Sequence, residues 1–249
     1  MDKYGLIGYP LGHSFSKNYF NEKFSSEGID AIYENFEIPS IESLPEVVEQ
    51  NPTLRGLNVT IPHKEKVITW LDSLSPEARA IGAVNVIRIQ RDSKGDVQLK
   101  GYNSDVVGFT RSIEPLLEAH HKKALILGTG GAAKAIDYGL RSLGLDTLFV
   151  SRFARQGTIR YADVTPDVVR EYSVIVNCTP LGMYPKTDTC PDIPYEALGS
   201  GNLLYDLIYN PDVTTFMHRG QQQGATVKNG LEMLLLQAFV SWEIWNKND

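Results

Sequence analysis

The sequence predicts two α/β domains, each with a mostly parallel β-sheet and helices packed on it. Three observations predict this class. Short apolar segments typical of strands alternate with segments whose apolar residues recur at helical spacing. A second alternation of this kind starts after residue 118, with a continuous apolar run at 124–127 that suits a buried parallel strand. A glycine-rich turn follows that run directly.

The first part of the chain reads as strands and helices in alternation, followed by a hairpin. Phe20 and Phe24 recur at helical spacing, Pro62 occupies a position that suits the first turn of a helix, and Gly95 belongs to a hairpin turn at 92–95. The predicted elements are strands at 4–8, 31–38 and 56–60, helices at 16–24, 43–50 and 62–71, and hairpin strands at 83–91 and 97–102.

The second part repeats the pattern after a predicted helix at 106–118. Its predicted strands are 124–127, 147–150, 174–176, 203–207 and 226–227. The last apolar segment, 231–245, reads as a helix with no strand after it, and we expect it to return to the first domain. The expected division is therefore residues 1–102 plus 231–249 against residues 103–230.

Composition limits the function classes. The 249 residues are 42% hydrophobic and 22% charged, as in an ordinary globular protein with a sizeable core. A net charge of -6 argues against nucleic acid as the main partner but permits a small anionic ligand. Two cysteines are too few for a disulfide framework, and neither a membrane span nor a signal segment is evident. We expect a cytoplasmic monomer or homodimer that acts on a small molecule and binds no metal, nucleic acid or membrane.

The glycine-rich turn predicts a dinucleotide site. Residues 128–133, Gly-Thr-Gly-Gly-Ala-Ala, follow a strand and open a helix in the G-x-G-x-x-[GA] arrangement. Glycines permit the tight turn and a close approach of the backbone to a diphosphate, which the N–H groups at the start of the helix then face. An ordinary tight strand-to-helix turn is the alternative explanation.

The end of the next strand favours NADP over NAD. An NAD site usually places an acidic residue about 20 residues past the loop, where it binds the ribose 2′-hydroxyl. Here Ser151, Arg152 and Phe153 follow the strand, and no acid is present. A carboxylate would repel a 2′-phosphate, whereas Arg152 can pair with it and stack on adenine. Taken by itself, an arginine after a strand is more often a solvated surface charge, and it is the preceding loop that favours a cofactor role for Arg152.

Hydroxyl and amide residues cluster after several strands of the first domain, near one lysine and one aspartate. Such side chains donate and accept hydrogen bonds, which suits a small polyhydroxylated acid bound beyond the carboxyl ends of the strands. Each residue also has a simpler explanation: Ser16 and Asp105 can belong to helix starts, and Lys64 can be a surface residue. The cluster comprises Ser14, Ser16, Asn58, Thr60, Lys64, Asn85 and Asp105.

Eight segments, in order and over almost the whole chain, resemble the shikimate dehydrogenase family. The string at 58–64 is highly specific, and the order of all eight is more so. The segments are 12–16 (GHSFS), 58–64 (NVTIPHK), 82–85 (GAVN), 103–108 (NSDVVG), 128–133, 177–183 (NCTPLGM), 205–209 (YDLIY) and 229–238 (NGLEMLLLQA).

The resemblance implies a substrate domain, a Rossmann-type NADP domain and a cleft between them, with NADP-dependent reduction of 3-dehydroshikimate to shikimate as the activity. It assigns Lys64 and Asp105 as the catalytic pair. The substrate-binding residues it implies are Ser14, Ser16, Asn58, Thr60, Asn85, Tyr209 and Gln237. The cofactor-binding residues it implies are Gly128, Thr129, Gly130, Gly131, Ala132, Ser151, Arg152, Leu207 and Gly230.

The proton chemistry suits this assignment. When a ketone accepts a hydride, its oxygen becomes an alkoxide that needs a proton, and an ammonium at Lys64 can stabilise the charge and donate that proton. The sequence leaves open whether Lys64 is the proton donor or chiefly an anchor for the substrate.

Two departures from the family pattern bear on the cofactor. The family often carries Asn-Arg-Thr and a further basic residue after the second strand of the cofactor domain, whereas this chain has Ser151-Arg152-Phe153 and an out-of-register Arg155, with a short loop to Asp163. The nearest alternative is a quinate/shikimate dehydrogenase that uses NAD. A more distant one is a non-catalytic sensor of shikimate-type ligands, which would be expected to lack Lys64 or Asp105.

Overall fold

The computed structural model describes residues 1–12, 15–153 and 156–247, and the chain divides into two compact units. One unit is Met1–Ser104 with Ala238–Asp249, and the other is Asp105–Gln237. The sequence-based division instead used 102 and 231. The later return to the first unit has a visible cause, because a Cβ built at Gly108 would lie 2.7 Å from the carbonyl oxygen of Met233 and 3.1 Å from the nitrogen of Gln237. The start of the last helix is therefore packed within the second unit.

Among the described residues, the first unit has a six-stranded mixed sheet and three α-helices of its own, besides the later turns of the last helix. Its elements are β1 (Asp2–Gly8), α1 (Phe15–Glu27), β2 (Ala31–Glu37), α2 (Leu44–Gln50), β3 (Leu54–Val59), β4 (Ser73–Leu74), α3 (Pro76–Ile81), β5 (Val86–Arg91) and β6 (Val97–Tyr102). The strand order is β2-β1-β3-β5-β6-β4. β1 runs parallel to β2 and β3, and β5 is antiparallel to both of its neighbours, which confirms the predicted hairpin. β2 and β3 flank β1 on opposite sides, so the order in which strands are added across the sheet changes direction at β1. In open α/β sheets, the ligand-binding crevice lies at such a switch point.

The helix predicted at 62–71 is wrong. The structure has a turn and then a 3₁₀ helix at Lys66–Trp70. The imidazole of His63 is buried, with Nε2 2.7 Å from the carbonyl oxygen of Ile38, so a contact distant in sequence fixes this segment. Val67, Ile68 and Thr69 are β-branched, which lowers the helical preference that Pro62 had suggested.

The second unit is a fully parallel sheet with helices. Its elements are α4 (Asp105–Ile113), β7 (Lys123–Leu127), α5 (Gly131–Ser142), β8 (Asp146–Ser151), β9 (Thr158–Arg160), α6 (Pro166–Glu171), β10 (Val174–Asn177), β11 (Leu203–Asp206), α7 (Thr215–Gln222), β12 (Thr226–Lys228) and α8 (Leu231–Asn246), whose later turns belong to the first unit. The strand order is β12-β11-β10-β7-β8-β9. Numbered from β7, this is the doubly wound order of dinucleotide-binding sheets, and it confirms the predicted Rossmann-type fold.

The first helix of the second unit is shorter than predicted. α4 ends at Ile113 rather than 118, and a 3₁₀ turn at Glu114–Leu116 follows. Pro115 explains the change, because proline has no N–H to continue the helix and disfavours helical geometry in the residue before it.

Across the described ranges, none of the helices has the length and apolar character needed to cross a bilayer.

The end of α8 is fixed to the first unit by an aromatic cluster. The ring of Trp245 lies 4.9 Å from that of Tyr4 and 5.3 Å from that of Phe20, centroid to centroid. Its Nε1 donates to the carbonyl oxygen of Ile87 at 3.1 Å. A Cβ built at Gly56 would lie 2.3 Å from the indole, so the glycine there is required by the close approach of the ring. Trp245 thus closes the core over the sheet.

Replacing Trp245 with alanine is expected to lower the free energy of unfolding by about 3–5 kcal/mol, because a large buried ring leaves a cavity and a carbonyl loses its donor. Trp70, which is 37% exposed, is the matched control, and Trp70→Ala should cost about 0.5 kcal/mol. Chemical denaturation of both variants measures the difference. Equal losses in the two variants would contradict the role of Trp245 in the core.

Candidate active site

The hydroxyl and amide residues of the first unit meet at one edge of its sheet. Ser16 lies in the first turn of α1, shortly after β1, and Thr60 directly follows β3. Asn85 directly precedes β5, and because β5 runs antiparallel to β3, its start lies beside the end of β3, where Asn58 is placed. Ser14 lies outside the described residues. The remaining members come from segments that the sequence separates widely but the fold brings together.

Lys64 belongs to the same edge. It is half-buried, and its backbone carbonyl accepts a hydrogen bond from the N–H of Val84 at 2.8 Å. The turn before it is held close to β1, because the N–H of Thr60 donates to the carbonyl oxygen of Ile7 at 2.9 Å. A Cβ built at Gly8 would lie only 2.4 Å from the methyl carbon of Thr60. The close approach at Gly8 therefore sets the position of the turn that carries Lys64.

Asn58 and Asn85 are buried and bonded mainly to protein. Asn58 accepts a hydrogen bond from the hydroxyl of Tyr33 at 2.8 Å and donates to the hydroxyl of Ser241 at 3.0 Å and to the carbonyl oxygen of Asn85 at 3.3 Å. The side chain of Asn85 donates to the hydroxyl of Ser104 at 3.0 Å and accepts from its N–H at 2.6 Å. The sequence-based prediction did not assign Tyr33, Ser104 or Ser241 to the site. Ser104 lies in the motif at 103–108, whereas nothing local distinguishes Tyr33 and Ser241 from other core residues.

Two further predicted residues lie in the second unit. Asp105 is the first residue of α4 and is buried, and the helix dipole favours an acidic residue in the first turn of a helix. Gln237 lies in α8, is 8% exposed, and donates from Nε2 to the carbonyl oxygen of Leu234 at 2.9 Å. Gly108 lets α4 and α8 approach each other, so both residues are carried by one tightly packed helix pair.

The glycine loop has the geometry that a dinucleotide diphosphate requires. Gly128 has φ +114°, and a Cβ built there would lie 3.2 Å from the carbonyl oxygen of Cys178, because the turns after β7 and β10 adjoin. Gly130 caps α5 with no side-chain hydrogen bond to its N–H groups, and nothing lies within 4 Å of a Cβ built on it. Thr129 lies between these two glycines, and Gly131 and Ala132 form the first turn of α5. The free N–H groups of α5 and the open space beside Gly130 fit a bound diphosphate.

The end of β8 carries Ser151 and Arg152, which the sequence predicts to favour NADP over NAD. Ser151 is buried and its hydroxyl accepts from the N–H of Phe153 at 3.3 Å. Arg152 is exposed, with its guanidinium 5.8 Å from the centre of the Phe153 ring. Arg155, like Ala154, lies outside the described residues. The described part of this turn offers a cation and no carboxylate, which suits a 2′-phosphate.

Leu207 and Gly230 come together after β11, and Tyr209 lies two residues beyond Leu207. A Cβ built at Gly230 would lie 2.2 Å from the carbonyl oxygen of Leu207, and the N–H of Gly230 donates to the carbonyl oxygen of Ile208 at 3.0 Å. No residue with a side chain would permit this approach. Tyr209 is 37% exposed, and partial burial raises the pKa of its phenol.

Asp206 holds that segment and was not predicted as a site residue. It is fully buried and its carboxylate accepts from Asn177 Nδ2 at 3.0 Å, from the N–H of Ile208 at 3.0 Å and from the hydroxyl of Thr214 at 2.6 Å. These bonds join the ends of β10 and β11 to the start of α7. The available signal was a polar residue closing an apolar strand, and both Asn177 and Asp206 have it.

The buried carboxyl of Asp206 predicts a pH dependence of stability. Burial raises its pKa from 3.8 to about 6, although the hydrogen bond from Thr214 opposes the rise. Between those values the unfolded chain loses a proton that the folded chain keeps, so the contribution of this group to stability falls by roughly 3 kcal/mol as pH rises from about 4 to about 6, and is constant above.

Asp206→Asn does not titrate and should lack this fall. Relative to the wild type, its free energy of unfolding should increase by about 2 kcal/mol between about pH 4.5 and pH 7. Urea denaturation at both pH values measures the change, and all other carboxyl groups cancel in the comparison. A difference that stays constant with pH would contradict the raised pKa.

Within the part of the chain that the structure describes, no group of three or more histidine, cysteine, aspartate and glutamate side chains is arranged to hold a metal ion.

Comparison with known proteins gives a consistent result. A family model described as the shikimate dehydrogenase substrate binding domain matches residues 6–87. The shikimate dehydrogenase (NADP(+)) of Caldicellulosiruptor saccharolyticus is 36% identical over 262 residues, which cover 98% of this chain and 92% of that protein. The crystal structure of shikimate 5-dehydrogenase from Thermus thermophilus, in complex with NADP(H) and shikimate, is 30% identical with a TM-score of 0.84, over 99% of this chain and 94% of that one.

A quinate dehydrogenase of Corynebacterium glutamicum, solved in complex with NAD, has a TM-score of 0.85 at 23% identity and covers 98% of this chain and 93% of that one. At that identity the likeness shows a common fold alone.

Proposed function

The chain belongs to the shikimate dehydrogenase family, and on that premise we propose that it catalyses the NADP-dependent reduction of 3-dehydroshikimate to shikimate. This step belongs to the biosynthesis of chorismate and the aromatic amino acids. The observation that supports the proposal most is the meeting of Lys64 with Ser16, Thr60 and Asn85 at one sheet edge, in a chain whose second sheet has the dinucleotide-binding strand order.

Substrate recognition is assigned to polar side chains that can both donate and accept. The hydroxyls of Ser14, Ser16 and Thr60 and the amides of Asn85 and Gln237 suit the carboxylate and ring hydroxyls of a shikimate-type acid. Tyr209 adds a partly exposed phenol. Asn58 is assigned to the same site, although its bonds to the protein suit it to orienting its neighbours.

Catalysis is assigned to Lys64 and Asp105. NADPH, when bound, supplies the hydride. Lys64, as an ammonium, stabilises the negative charge that develops on the carbonyl oxygen and donates its proton there. Asp105 accepts a hydrogen bond from a ring hydroxyl and so helps to orient the ketone. In the oxidative direction Lys64 accepts the proton instead.

Cofactor binding is assigned to the glycine loop and the turns near it. The N–H groups at Gly130, Gly131 and Ala132 face the diphosphate, and Arg152, beside Ser151, pairs with the 2′-phosphate. The strand order of the second sheet changes direction between β7 and β10. Leu207 and Gly230, whose backbones pack closely after β11, are assigned to the cofactor on the β10 side of this switch point. The remaining loop residues that we assign to the cofactor are Gly128 and Thr129.

We assign the substrate role to residues 1–102 with 231–249 and the cofactor role to 103–230; the compact units, Met1–Ser104 with Ala238–Asp249 and Asp105–Gln237, support a division of this kind but differ from it by two residues at one boundary and seven at the other. The cytoplasmic location stays a prediction. So does the choice between monomer and homodimer, which sedimentation of the purified protein would decide.

A spectrophotometric assay tests the proposed function. Purified protein should generate NADPH from shikimate and NADP⁺, seen as a rise in near-ultraviolet absorbance, with a higher kcat/KM than for NAD⁺. The same assay with quinate addresses the alternative, which is favoured only if quinate with NAD⁺ is the better pair. No absorbance change with either ring acid and either cofactor would overturn the proposed function.

A further inference from the structure

A buried hydrogen-bond network lies behind the substrate residues of the first unit. Its members are Tyr33, Ser104 and Ser241, each with 0% exposure, and Asn58 and Asn85, which are 5% and 3% exposed. The hydroxyls of Ser104 and Ser241 are 3.2 Å apart, so they join the bonds around Asn58 to those around Asn85. The three side chains without exposure cannot contact a ligand, so they act only through other residues.

The amide of Asn58 is used up within this network. A primary amide has two N–H donors, and those of Asn58 go to Ser241 and to the carbonyl oxygen of Asn85. Its oxygen accepts from Tyr33. Asn58 therefore has no donor left for a substrate hydroxyl, and its geometry suits a residue that orients its neighbours.

Asn58 is positioned to orient Thr60 and Asn85, two residues that we assign to substrate binding. The carbonyl oxygen of Asn85 accepts from the side chain of Asn58 and from the N–H of Val59 at 2.8 Å, so β3 holds the residue that opens β5 by two bonds. Thr60 follows Val59 directly. A shift of Asn58 would move both substrate-binding side chains, Thr60 and Asn85, together.

Tyr33 is suited to fix Asn58. Burial raises the pKa of its phenol well above the ordinary value of 10, so the hydroxyl stays protonated and donates. The hydroxyl of Ser16 also interacts with that phenol. The phenyl ring is held by Phe20, whose ring is stacked on it at 4.8 Å between centroids. A rigid donor in this position fixes the orientation of the Asn58 amide.

We propose that Tyr33 and Ser241 are positioning residues for substrate binding, which act through Asn58 on Thr60 and Asn85. This inference rests on the proposed function. Ser241 lies four residues after Gln237 in α8, the helix that also carries this predicted substrate residue. Through Ser241, a helix near the end of the chain is hydrogen-bonded to Asn58 in β3.

Tyr33→Phe tests the inference with the smallest change, since it removes only the hydroxyl. Leaving the Asn58 oxygen without its donor should raise the KM for shikimate about 5- to 20-fold, with kcat within about threefold of wild type and the KM for NADP⁺ unchanged. Steady-state kinetics with each substrate varied in turn measures both constants. Ser241→Ala should shift the KM for shikimate in the same direction, and it provides the test if Tyr33→Phe fails to fold.

Tyr205→Phe is the matched control. Tyr205 is also fully buried, and its hydroxyl lies 2.6 Å from that of Ser112 in the second unit. This variant should lose comparable thermal stability but keep the KM for shikimate. If both tyrosine variants raised that KM equally, the effect would be a general loss of stability and the inference would fall.

A double-mutant cycle tests the route through Asn58. In an Asn58→Ala background, Tyr33→Phe should raise the KM for shikimate by clearly less than it does alone, because the route through Asn58 is already missing and only the contact with Ser16 remains. An undiminished effect there, or an unchanged KM in the single Tyr33→Phe variant, would overturn the inference. Failure of the proposed function itself has a different result, namely wild-type protein with no activity on shikimate.

Discussion

Lys64→Ala is expected to lower kcat for shikimate oxidation and 3-dehydroshikimate reduction at least about 100-fold, the low end for the loss of a general acid–base group. The reason is that the alkoxide formed at the ketone oxygen loses both its stabilising charge and its proton donor. The half-buried position of Lys64 at the end of the β3 turn, with Val84 bonded to its backbone carbonyl, keeps the rest of the turn in place in the variant. Measured kcat and KM for the variant and the wild type decide the outcome.

Lys66 provides the control for this prediction. It is exposed, lies two residues farther along the chain and begins the 3₁₀ helix, so Lys66→Ala removes the same charge from the same region. Its kcat should stay within about twofold of wild type, as expected for a surface change. A near-normal kcat with a raised KM for Lys64→Ala would assign this residue to substrate anchoring and exclude it as the proton donor.

The second unit could be predicted from the sequence because its signals are local. The strands β7, β10 and β11 are short runs of apolar residues, and in the structure the residues at 124–127 and 174–176 have no exposure. The turn after β7 needs glycine for its backbone conformation, as the φ of +114° at Gly128 shows. A strand buried on both faces requires a run of apolar residues, and a turn with positive φ requires glycine. Both requirements are visible in the sequence, so these strands and this turn could be predicted from it.

The first unit was predicted less well because distant contacts decide it. Pro62 and the apolar spacing after it favoured a helix, but the buried His63 is bonded to Ile38, which is 25 positions away, and the segment forms a turn and a 3₁₀ helix. The tertiary contact of His63 therefore outweighs the local preference of this segment for an α-helix. The residues at 73–81 form a short strand and α3, neither of which was predicted.

The site shows the same limit. Family resemblance identified Asn58 and Asn85, but their partners Tyr33 and Ser241 carry no motif. Ser241 is 183 positions from Asn58, and only the packing of α8 on the first sheet brings them together. A residue that contacts ligand can be found by its chemistry, whereas a residue that positions another can be found only from the fold.

Arg152→Ala is expected to lower kcat/KM for NADP⁺ about 10- to 100-fold while leaving kcat/KM for NAD⁺ within about twofold. Charge-assisted hydrogen bonds to a phosphate contribute about 1.5–3 kcal/mol, and each 1.4 kcal/mol is a factor of ten. The guanidinium is exposed at the end of β8, so removing it should leave the fold intact. NAD⁺ lacks the 2′-phosphate and thus has nothing for Arg152 to pair with.

Arg170→Ala is the control, because Arg170 is an exposed arginine of the same unit that pairs with Asp167 on α6. Its kinetics with both cofactors should match wild type. The test depends on how selective the loss is for NADP⁺. Equal losses for NADP⁺ and NAD⁺ would mean that Arg152 contacts a part common to both, such as the adenine ring. In that case the preference for NADP would have to come from other residues of the turn, and Ser151, whose hydroxyl already accepts from the N–H of Phe153, would be the first to replace.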